Sequence, residues 1–495
     1  MSLEKGLSRR RFLAHMAALS AGFALAACAP KATPAPAEPA PAAEKPAAEK
    51  PAAAKPAASP VEVRYLSWWG AFNTMVMPEV IKEFKDLMPH VTVTVEEVPQ
   101  AEFAQKAQTT LVAGTAADIL YHENYMSKYY TEGLILELDD RFDATGIDFD
   151  RDFYEGLALC RWAGKLYGFP HMWETCLFLY NKTAVQEGWG KDLWEAFPDG
   201  NWDFNDMVEV SKATTKMTSD GRMEQWGLWI YHRSYYYGLE TLGWSQGDSI
   251  FDVQQMKYNF TTPTIQSVNH WLLSAVRKEK FLISQEDNSE VTKAAGVANV
   301  FESGKVALYQ RMSTDIGRAL KTVGDKFDGV SDKFDWDVFY LPNFGDHKAV
   351  TRAGGHPHNI AKSTKVADEA WELCRYMGME GQKFIATSKL SVPIWRKSPD
   401  HRKLFEEGKP PHDNVILGVL EDRGGYGDHL RFHNEGEVRA MFQKQMDLLY
   451  NMPYEEADAQ IDEICAKLEA DMNEAVDYGP ELPFPDLEFP YKPYL

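Results

Sequence analysis

The segment that follows the first sixty residues alternates between two hydrophobic periods, which restricts the folds open to the chain. Apolar and polar residues alternate from Val61 and again from Val91, and a short apolar run begins at Ile119. Between these stretches, apolar residues recur at helical spacing until Pro89 and then until Gly114. Period two is typical of strands, and a spacing of three and four is typical of helices. The order strand, helix, strand, helix, strand predicts a parallel sheet flanked by helices, which is an α/β fold.

Aromatic and polar side chains follow the first and third of these predicted strands. Trp68 and Trp69 come directly after the first, and Glu123 and Asn124 follow the third. Ligands of open α/β sheets bind beyond the carboxyl ends of the strands, so we expect these four residues at one edge. Alternatively, one of the two indoles covers the sheet. We do not expect both to do so, because neighbouring residues of a strand point to opposite faces.

Residues 1–27 have the order of regions that is typical of an export signal. Arg9 and Arg10 precede an apolar run that is too short to span a bilayer and that ends in Leu-Ala-Ala before Cys28. We predict that the chain is exported, by the twin-arginine or the general secretory route, and that lipidated Cys28 holds it on the outer face of the cytoplasmic membrane. An amphipathic first helix with a buried cysteine is the alternative.

Residues 28–60 are almost entirely Ala, Pro, Glu and Lys. A segment without large apolar side chains cannot offset the entropy of ordering, and its prolines favour an extended chain. We therefore predict a disordered tether. Residues 61–495 are too many for one small core and are enough for two lobes.

The charge and the cysteines exclude several classes of protein. The net charge of −21 disfavours a nucleic-acid partner, because such a surface repels phosphates. Cysteines after Cys28 form no C-x-x-C pair, so neither an iron–sulfur cluster nor structural zinc is predicted, and we expect no cofactor. Cys160 and Cys176 either form a disulfide or are buried thiols.

Six motifs follow one another in the predicted globular part. They are Val63–Gly70, Ala113–Leu120, Gly164–Pro170 with Leu179–Lys182, Phe301–Leu308, Trp336–Pro342, and Ala353–His356 with Ile360–Ser363. In this order and spacing, they resemble the substrate-binding lipoproteins of ABC importers, specifically the extracellular solute-binding family that includes maltose-binding protein.

This resemblance implies a two-lobed periplasmic-binding-protein fold of type II. Each lobe is expected to be a mostly parallel sheet flanked by helices, and the hinge between them is crossed several times. The first lobe would hold residues 61–170 and 350–395, and the second would hold 171–349 and 396–495. The implied function is an extracytoplasmic receptor that closes its lobes on a sugar or another small polar solute and delivers it to the membrane subunits of an ABC importer.

Sugar rings have apolar faces that stack on aromatic rings and hydroxyls that bind polar side chains. Residues of both kinds near the predicted crossings form the candidate ligand site: Trp68, Trp69, Glu123, Asn124, Trp173, Glu174, Tyr236, Trp244, Gln310, Arg311, Gly355, His356 and Trp395. Trp69, Glu123, Asn124, Trp173, Glu174, Arg311 and His356 match cleft positions of the family. For Trp244, core packing is favoured over a ligand contact, and a surface or interlobe salt bridge is the alternative for Arg311.

Two patterns allow a metal-binding interpretation, although we predict no metal site. The tyrosines at 129–130 and 235–237 resemble those of ferric-ion receptors in the same superfamily. His171, His356 and His358 would suit a metal only if they converge in space.

Two other functions compete with the receptor. An exported carbohydrate-active enzyme would use paired carboxylates, but G-x-S-x-G, H-E-x-x-H and phosphate-loop motifs are absent from the sequence, so we predict no catalysis. A structural surface lipoprotein would bind no ligand and would not close.

Overall fold

The computed structural model describes residues 59–121, 126–153, 160–234, 238–252, 255, 257–324, 333–351, 353–398, 402–422 and 434–477. The predicted export signal with Arg9, Arg10 and Cys28 and nearly all of the predicted tether lie outside the described residues, as do Glu123, Asn124 and Tyr236.

The described elements follow one another along the chain as short strands and helices. The strands are β1 (Val61–Ser67), β2 (Val91–Glu97), β3 (Ile119–Tyr121), β4 (Arg161–Trp162), β5 (Lys165–Leu166), β6 (Gly168–Pro170), β7 (Glu174–Asn181), β8 (Lys216–Met217), β9 (Met223–Trp229), β10 (Phe251–Asp252), β11 (Lys257–Tyr258), β12 (Val306–Met312), β13 (Trp336–Phe339), β14 (Ala353–Gly354) and β15 (Pro357–Ile360). The helices are α1 (Gly70–Met75), α2 (Met77–Leu87), α3 (Gln100–Val112), α4 (Ser127–Thr131), α5 (Asp139–Thr145), α6 (Phe149–Asp152), α7 (Lys182–Trp189), α8 (Leu193–Ala196), α9 (Phe204–Thr214), α10 (Glu240–Trp244), α11 (Pro263–Arg277), α12 (Gln285–Ala295), α13 (Asp315–Thr322), α14 (Ala367–Gly378), α15 (Gln382–Thr387), α16 (Val415–Asp422), α17 (Glu435–Asn451) and α18 (Tyr454–Ala475), with short 3-10 turns at Phe301–Ser303 and Leu404–Glu406.

The first sheet has the strand order β2, β1, β3, β15, β6. β1 pairs in parallel with β2 and β3, whereas β15 runs antiparallel to β3 and β6. Between β1 and β2, α2 buries Met77, Val80 and Phe84, which recur at intervals of three and four residues. Burial of a side chain such as Phe84 contributes about 2 kcal/mol. The predicted alternation of three strands and two helices is confirmed.

The second sheet differs from the expected, mostly parallel arrangement. Its strand order is β13, β7, β12, β9, β8, with β14 also paired to β7. Of the described pairs in this sheet, β12 and β9 are parallel, and the pairs made by β7 and β8 are antiparallel. β7 begins beside the first sheet, since it follows β6 after three residues, while β12 runs towards that same end. Both sheets are therefore mixed rather than mostly parallel, since the first has two parallel and two antiparallel pairs and the second has one parallel pair among those described.

β7 is buried on both faces along its whole length. Leu177 and Leu179 join a core that extends from the first sheet, whereas Cys176 and Phe178 join a core under the other face of the second sheet. Strands that are covered on both faces contain continuous runs of apolar residues. For this reason, residues 176–180 show no alternation of apolar and polar side chains.

The positions of Cys160 and Cys176 in different cores decide between a disulfide and two buried thiols. Cys160 lies in the core that includes the first sheet, and Cys176 lies in the other core, where its Sγ is 3.2 Å from Met312 Sδ. In the described part of the chain the two cysteines are buried thiols and are not joined by a disulfide. None of the helices described is long and apolar enough to cross a membrane.

Gly227 provides a test of the packing between β9 and α9. A Cβ at this position would lie 1.7 Å from the carbonyl oxygen of Ser211, so Gly227→Ala must push the helix away from the sheet. We expect the free energy of unfolding to fall by about 3 kcal/mol or more, measured by denaturant unfolding. Glu224→Ala, at an exposed position of the same strand, is the control and should change it by less than about 0.5 kcal/mol. A Gly227→Ala protein as stable as the control would contradict this packing.

Candidate functional site

The chain passes between the two sheets at two segments that lie side by side. Residues 171–173 join β6 to β7, and Gly355 and His356 join β14 to β15. A Cβ on Gly355 would lie 1.9 Å from the carbonyl oxygen of Met172, so only glycine allows the segments to approach this closely. Gly355 therefore contributes no side chain to the site. It allows the two backbone segments to approach, and this places the residues next to it where the two sheets meet.

A cavity of about 1120 Å³ opens above these crossing segments. On one side it is lined by residues that follow β1 and β3 and by α3, and on the other by the end of β12, by α13 and by the start of α17. Five of the predicted site residues line it, namely Trp68, Trp69, Glu174, Arg311 and His356.

The first side of the cavity is an aromatic wall formed by Trp68, Trp69, Tyr121 and Tyr129. The Trp69 and Tyr121 rings stack with centroids 5.8 Å apart, and Trp68 meets Tyr121 edge-on at 5.5 Å. β1 ends at Ser67 and α1 begins at Gly70, so the two indoles lie in a turn rather than on a strand. This turn explains why both line one cavity, although neighbouring strand residues would point apart.

Glu174 and His356 form the floor of the cavity. His356 Nε2 lies 3.3 Å from Glu174 Oε1, and both side chains are largely buried. The His356 ring also stacks on Tyr121, with centroids 5.5 Å apart. The floor thus joins the first residue of β7 to the aromatic wall.

The opposite side is a polar wall formed by Arg311, Asp315 and Arg318. Asp315 Oδ2 accepts a hydrogen bond from Arg311 Nε at 3.2 Å, and its Oδ1 lies 3.6 Å from Arg318 Nη1. Tyr309 OH donates to Asp315 at 3.2 Å, and burial raises the pKa of this phenol. Arg311 therefore both faces the cavity and forms a salt bridge with Asp315 of the same wall.

Four predicted site residues lie away from this cavity. Trp173 is buried and pairs through its backbone with Val392, while Trp395 pairs with Phe153. Trp244 is buried in α10, in agreement with the packing alternative. Gln310 borders a separate internal cavity, because it precedes Arg311 on β12 and points to the other face of the sheet.

The cavity is also lined by residues that were not among the predicted sugar-site residues, although Tyr129 was named for a possible metal site. These are Gln100, Ala104, Gln105, Gln108, Tyr121, Lys128, Tyr129, Met172, Met312, Thr314, Asp315, Arg318, Asn434, Gly436, Glu437, Arg439, Ala440, Gln443 and Asp477. The spacing of the three glutamines on α3 indicated one polar helix face, but such a face is usually solvated. The residues from 434 onwards gave no sequence signal, since they are distant in the chain from the rest.

Two buried histidines lie behind the aromatic wall. The rings of His171 and His358 are 4.1 Å apart, and His358 Nδ1 is 3.3 Å from Tyr65 OH. Burial lowers the pKa of His358 to about 3 and also lowers the pKa of His171 well below its usual range. Within the described ranges, no group of three His, Cys, Asp or Glu side chains is placed to hold a metal ion.

The architecture is that of a two-lobed binding protein with its cavity where the lobes meet, and it is shared with solved structures. An ABC substrate-binding protein from Listeria monocytogenes in complex with cycloalternan matches with a TM-score of 0.66 at 16% identity, over 83% of this chain and 99% of that chain. The maltose/maltodextrin-binding domain from Bdellovibrio bacteriovorus bound to maltotriose matches with a TM-score of 0.62 at 14% identity, over 82% and 99%. The predicted two-lobed α/β fold is confirmed.

Residues 79–401 match the family of bacterial extracellular solute-binding proteins, and the chain belongs to this family. The sequence matches no curated protein. A binding protein from Thermotoga lettingae bound with alpha-D-tagatose shares the fold with a TM-score of 0.65 at 15% identity, over 84% of this chain and 100% of that chain.

The buried His358 predicts a specific acid lability. The folded state keeps this ring neutral down to about pH 3, whereas the unfolded chain takes up the proton below about pH 6.5. The free energy of unfolding should therefore fall as the pH drops between these values, by about 1.4 kcal/mol per pH unit for this group. His358→Gln should reduce that slope in urea titrations at several pH values.

His347→Gln, at an exposed position, is the control and should keep the original slope. If His358→Gln also kept that slope, the buried neutral state of His358 would be refuted.

Proposed function

We propose that the protein is an extracytoplasmic receptor for a carbohydrate, in particular an oligosaccharide, which it delivers to an ABC importer. The observation that carries this proposal is the aromatic wall, which faces a polar wall across one large cavity. Membership of the solute-binding family and the fold shared with sugar-bound proteins support it.

The aromatic wall suits the apolar faces of sugar rings. Trp69 is braced from within by Phe72, with ring centroids 5.5 Å apart and planes at 10°, so its orientation is fixed before a ligand arrives. Stacking and burial of a sugar ring on such an indole contribute about 1 to 2 kcal/mol. The cavity, at about 1120 Å³, is slightly larger than most small-molecule sites and has room for more than one ring.

The polar wall suits the hydroxyl groups. Arg311 and Arg318 provide planar sets of donors, and Gln105 and Gln108 of α3 provide both donors and acceptors from the other side. Hydrogen bonds from charged donors are the stronger ones in a partly enclosed site.

A ferric-ion receptor is disfavoured by the positions of Tyr129 and Tyr130. Tyr129 lines the cavity, whereas the ring of Tyr130 stacks on Tyr167 with centroids 4.7 Å apart. Neither a ferric-ion receptor nor an enzyme has a specific observation in its favour.

Lobe closure and lipid anchoring complete the proposal. The lobes would comprise residues 61–170 with 357–395 and residues 174–354 with 396–495, because β14 pairs with β7 of the second sheet. The crossing segments at 171–173 and 355–356 would act as the hinge. Lipid on Cys28 and the Ala/Pro-rich tether would keep the receptor near its importer while leaving the lobes free to move.

The proposal is tested by titrating the protein with maltotriose, mannotriose and tagatose in thermal-shift and calorimetric experiments. A ligand should raise the melting temperature, bind with one-to-one stoichiometry and compact the protein in small-angle scattering. Consumption of the sugar would instead identify an enzyme, and failure of a broad glycan panel to bind would reject the carbohydrate receptor.

Trp69→Ala should weaken sugar binding about ten-fold, or by about 1.4 kcal/mol, because one face of the aromatic wall is lost. The measurement is the calorimetric Kd. Trp189→Ala, which removes an indole that stacks on Phe197 outside the cavity, is the matched control and should leave the Kd unchanged. Equal effects of the two substitutions would show that Trp69 does not contact the ligand.

Cys28→Ala should move the protein from the membrane fraction to the soluble extracytoplasmic fraction of a bacterial host, because the lipid attachment site is lost. Fractionation followed by immunoblotting measures this shift. Ser59→Ala, near the end of the tether, is the control and should stay with the membrane. Membrane retention of the Cys28→Ala protein would refute lipidation at this residue.

A further inference from the structure

The polar wall of the cavity contains one carboxylate between two guanidinium groups. Asp315 is buried, and its two oxygens lie 3.2 Å from Arg311 Nε and 3.6 Å from Arg318 Nη1. The arginine side chains are about one third exposed, at 32% and 34%, and line the cavity. The carboxylate thus occupies the place where the two arginines would otherwise receive an anion.

The local backbone would also favour an anion at this place. α13 begins at Asp315, so the positive end of its dipole and its first backbone amides lie at the cavity wall. Two arginines at a helix N-terminus are a typical arrangement for binding a carboxylate or phosphate. Asp315 satisfies this arrangement from within the protein.

The charges around the cavity are balanced in the part of the chain that the structure describes. The basic lining residues are Lys128, Arg311, Arg318 and Arg439, and the acidic ones are Glu174, Asp315, Glu437 and Asp477. A balanced lining offers hydrogen bonds without a net attraction for either sign of charge. An acidic ligand would gain no compensation here for its own loss of hydration.

We propose that Asp315 is a specificity-determining residue that excludes acidic sugars and makes the site selective for neutral ones. The inference rests on the proposed function and deepens it by naming the class of carbohydrate. The carboxylate of a uronate ring at the polar wall would meet Asp315 at close range and be repelled. A neutral hydroxyl would receive hydrogen bonds from Arg311 and Arg318 while Asp315 offsets one of their two positive charges.

The test compares two α-1,4-linked trisaccharides, neutral maltotriose and anionic trigalacturonate, with mannotriose as a second neutral probe. The wild-type protein should bind the better neutral probe at least ten-fold more tightly than trigalacturonate. Asp315→Asn keeps the shape and an acceptor for Tyr309 but removes the charge. It should increase trigalacturonate affinity at least ten-fold, in a salt-dependent manner.

Asp368→Asn is the matched control, because it removes an exposed carboxylate that pairs with Arg141 outside the cavity. It should leave both affinities unchanged. Melting temperatures of all three proteins establish that the variants are folded. Folded Asp315→Asn protein without a gain in trigalacturonate binding would overturn the inference, whether or not the wild type binds the neutral probes.

The failure of the inference is distinguishable from the failure of the receptor function. Wild-type protein that binds trigalacturonate as tightly as the neutral probes would reject the selectivity and leave the receptor intact. Absence of binding to every sugar of a broad panel would reject the receptor itself.

Discussion

The site depends on the close contact between the two segments that cross from one sheet to the other. The backbone of Gly355 touches the carbonyl of Met172, and this approach places Glu174 next to His356. Because each of the two side chains adjoins a strand of a different sheet, their contact joins the sheets at the cavity floor. A side chain at Gly355 would separate the segments, and the aromatic wall would then lose its contact with the floor through the His356 ring and Tyr121.

The two sides of the cavity provide different kinds of interaction because they are built from different elements. The aromatic wall follows the ends of β1 and β3, where Trp68, Trp69 and Tyr121 pack on one another and on the core below. The polar wall follows β12, where Arg311 and Asp315 are joined by a salt bridge. A ligand held between them must therefore present an apolar surface to one side and hydrogen-bonding groups to the other, which is the chemistry of a sugar ring.

The first sheet and part of the site could be predicted because their signals are local. Alternation from Val61 and Val91 identifies strands, and the rule for strand ends leads directly to Trp68 and Trp69. The remainder depends on information that no short segment contains. The direction of β7 depends on the point at which the chain crosses from the first sheet to the second. Whether Gln310 or Arg311 faces the cavity depends on the register of β12. Trp244 has the chemistry of a ligand contact, but its position in α10 makes it a core residue.

The net charge of the whole chain and the charges that line the cavity act over different distances. The chain has a net charge of −21, so its field disfavours the approach of anionic solutes from a distance. Salt screens that field beyond about 8 Å at physiological ionic strength, and it therefore cannot provide selectivity once a solute has entered the cavity. Discrimination at short range requires a fixed charge that contacts the ligand site, and the buried carboxylate of Asp315 beside Arg311 is placed to provide it. The same pairing offsets one of the two guanidinium charges, which weakens the attraction of the polar wall for anions.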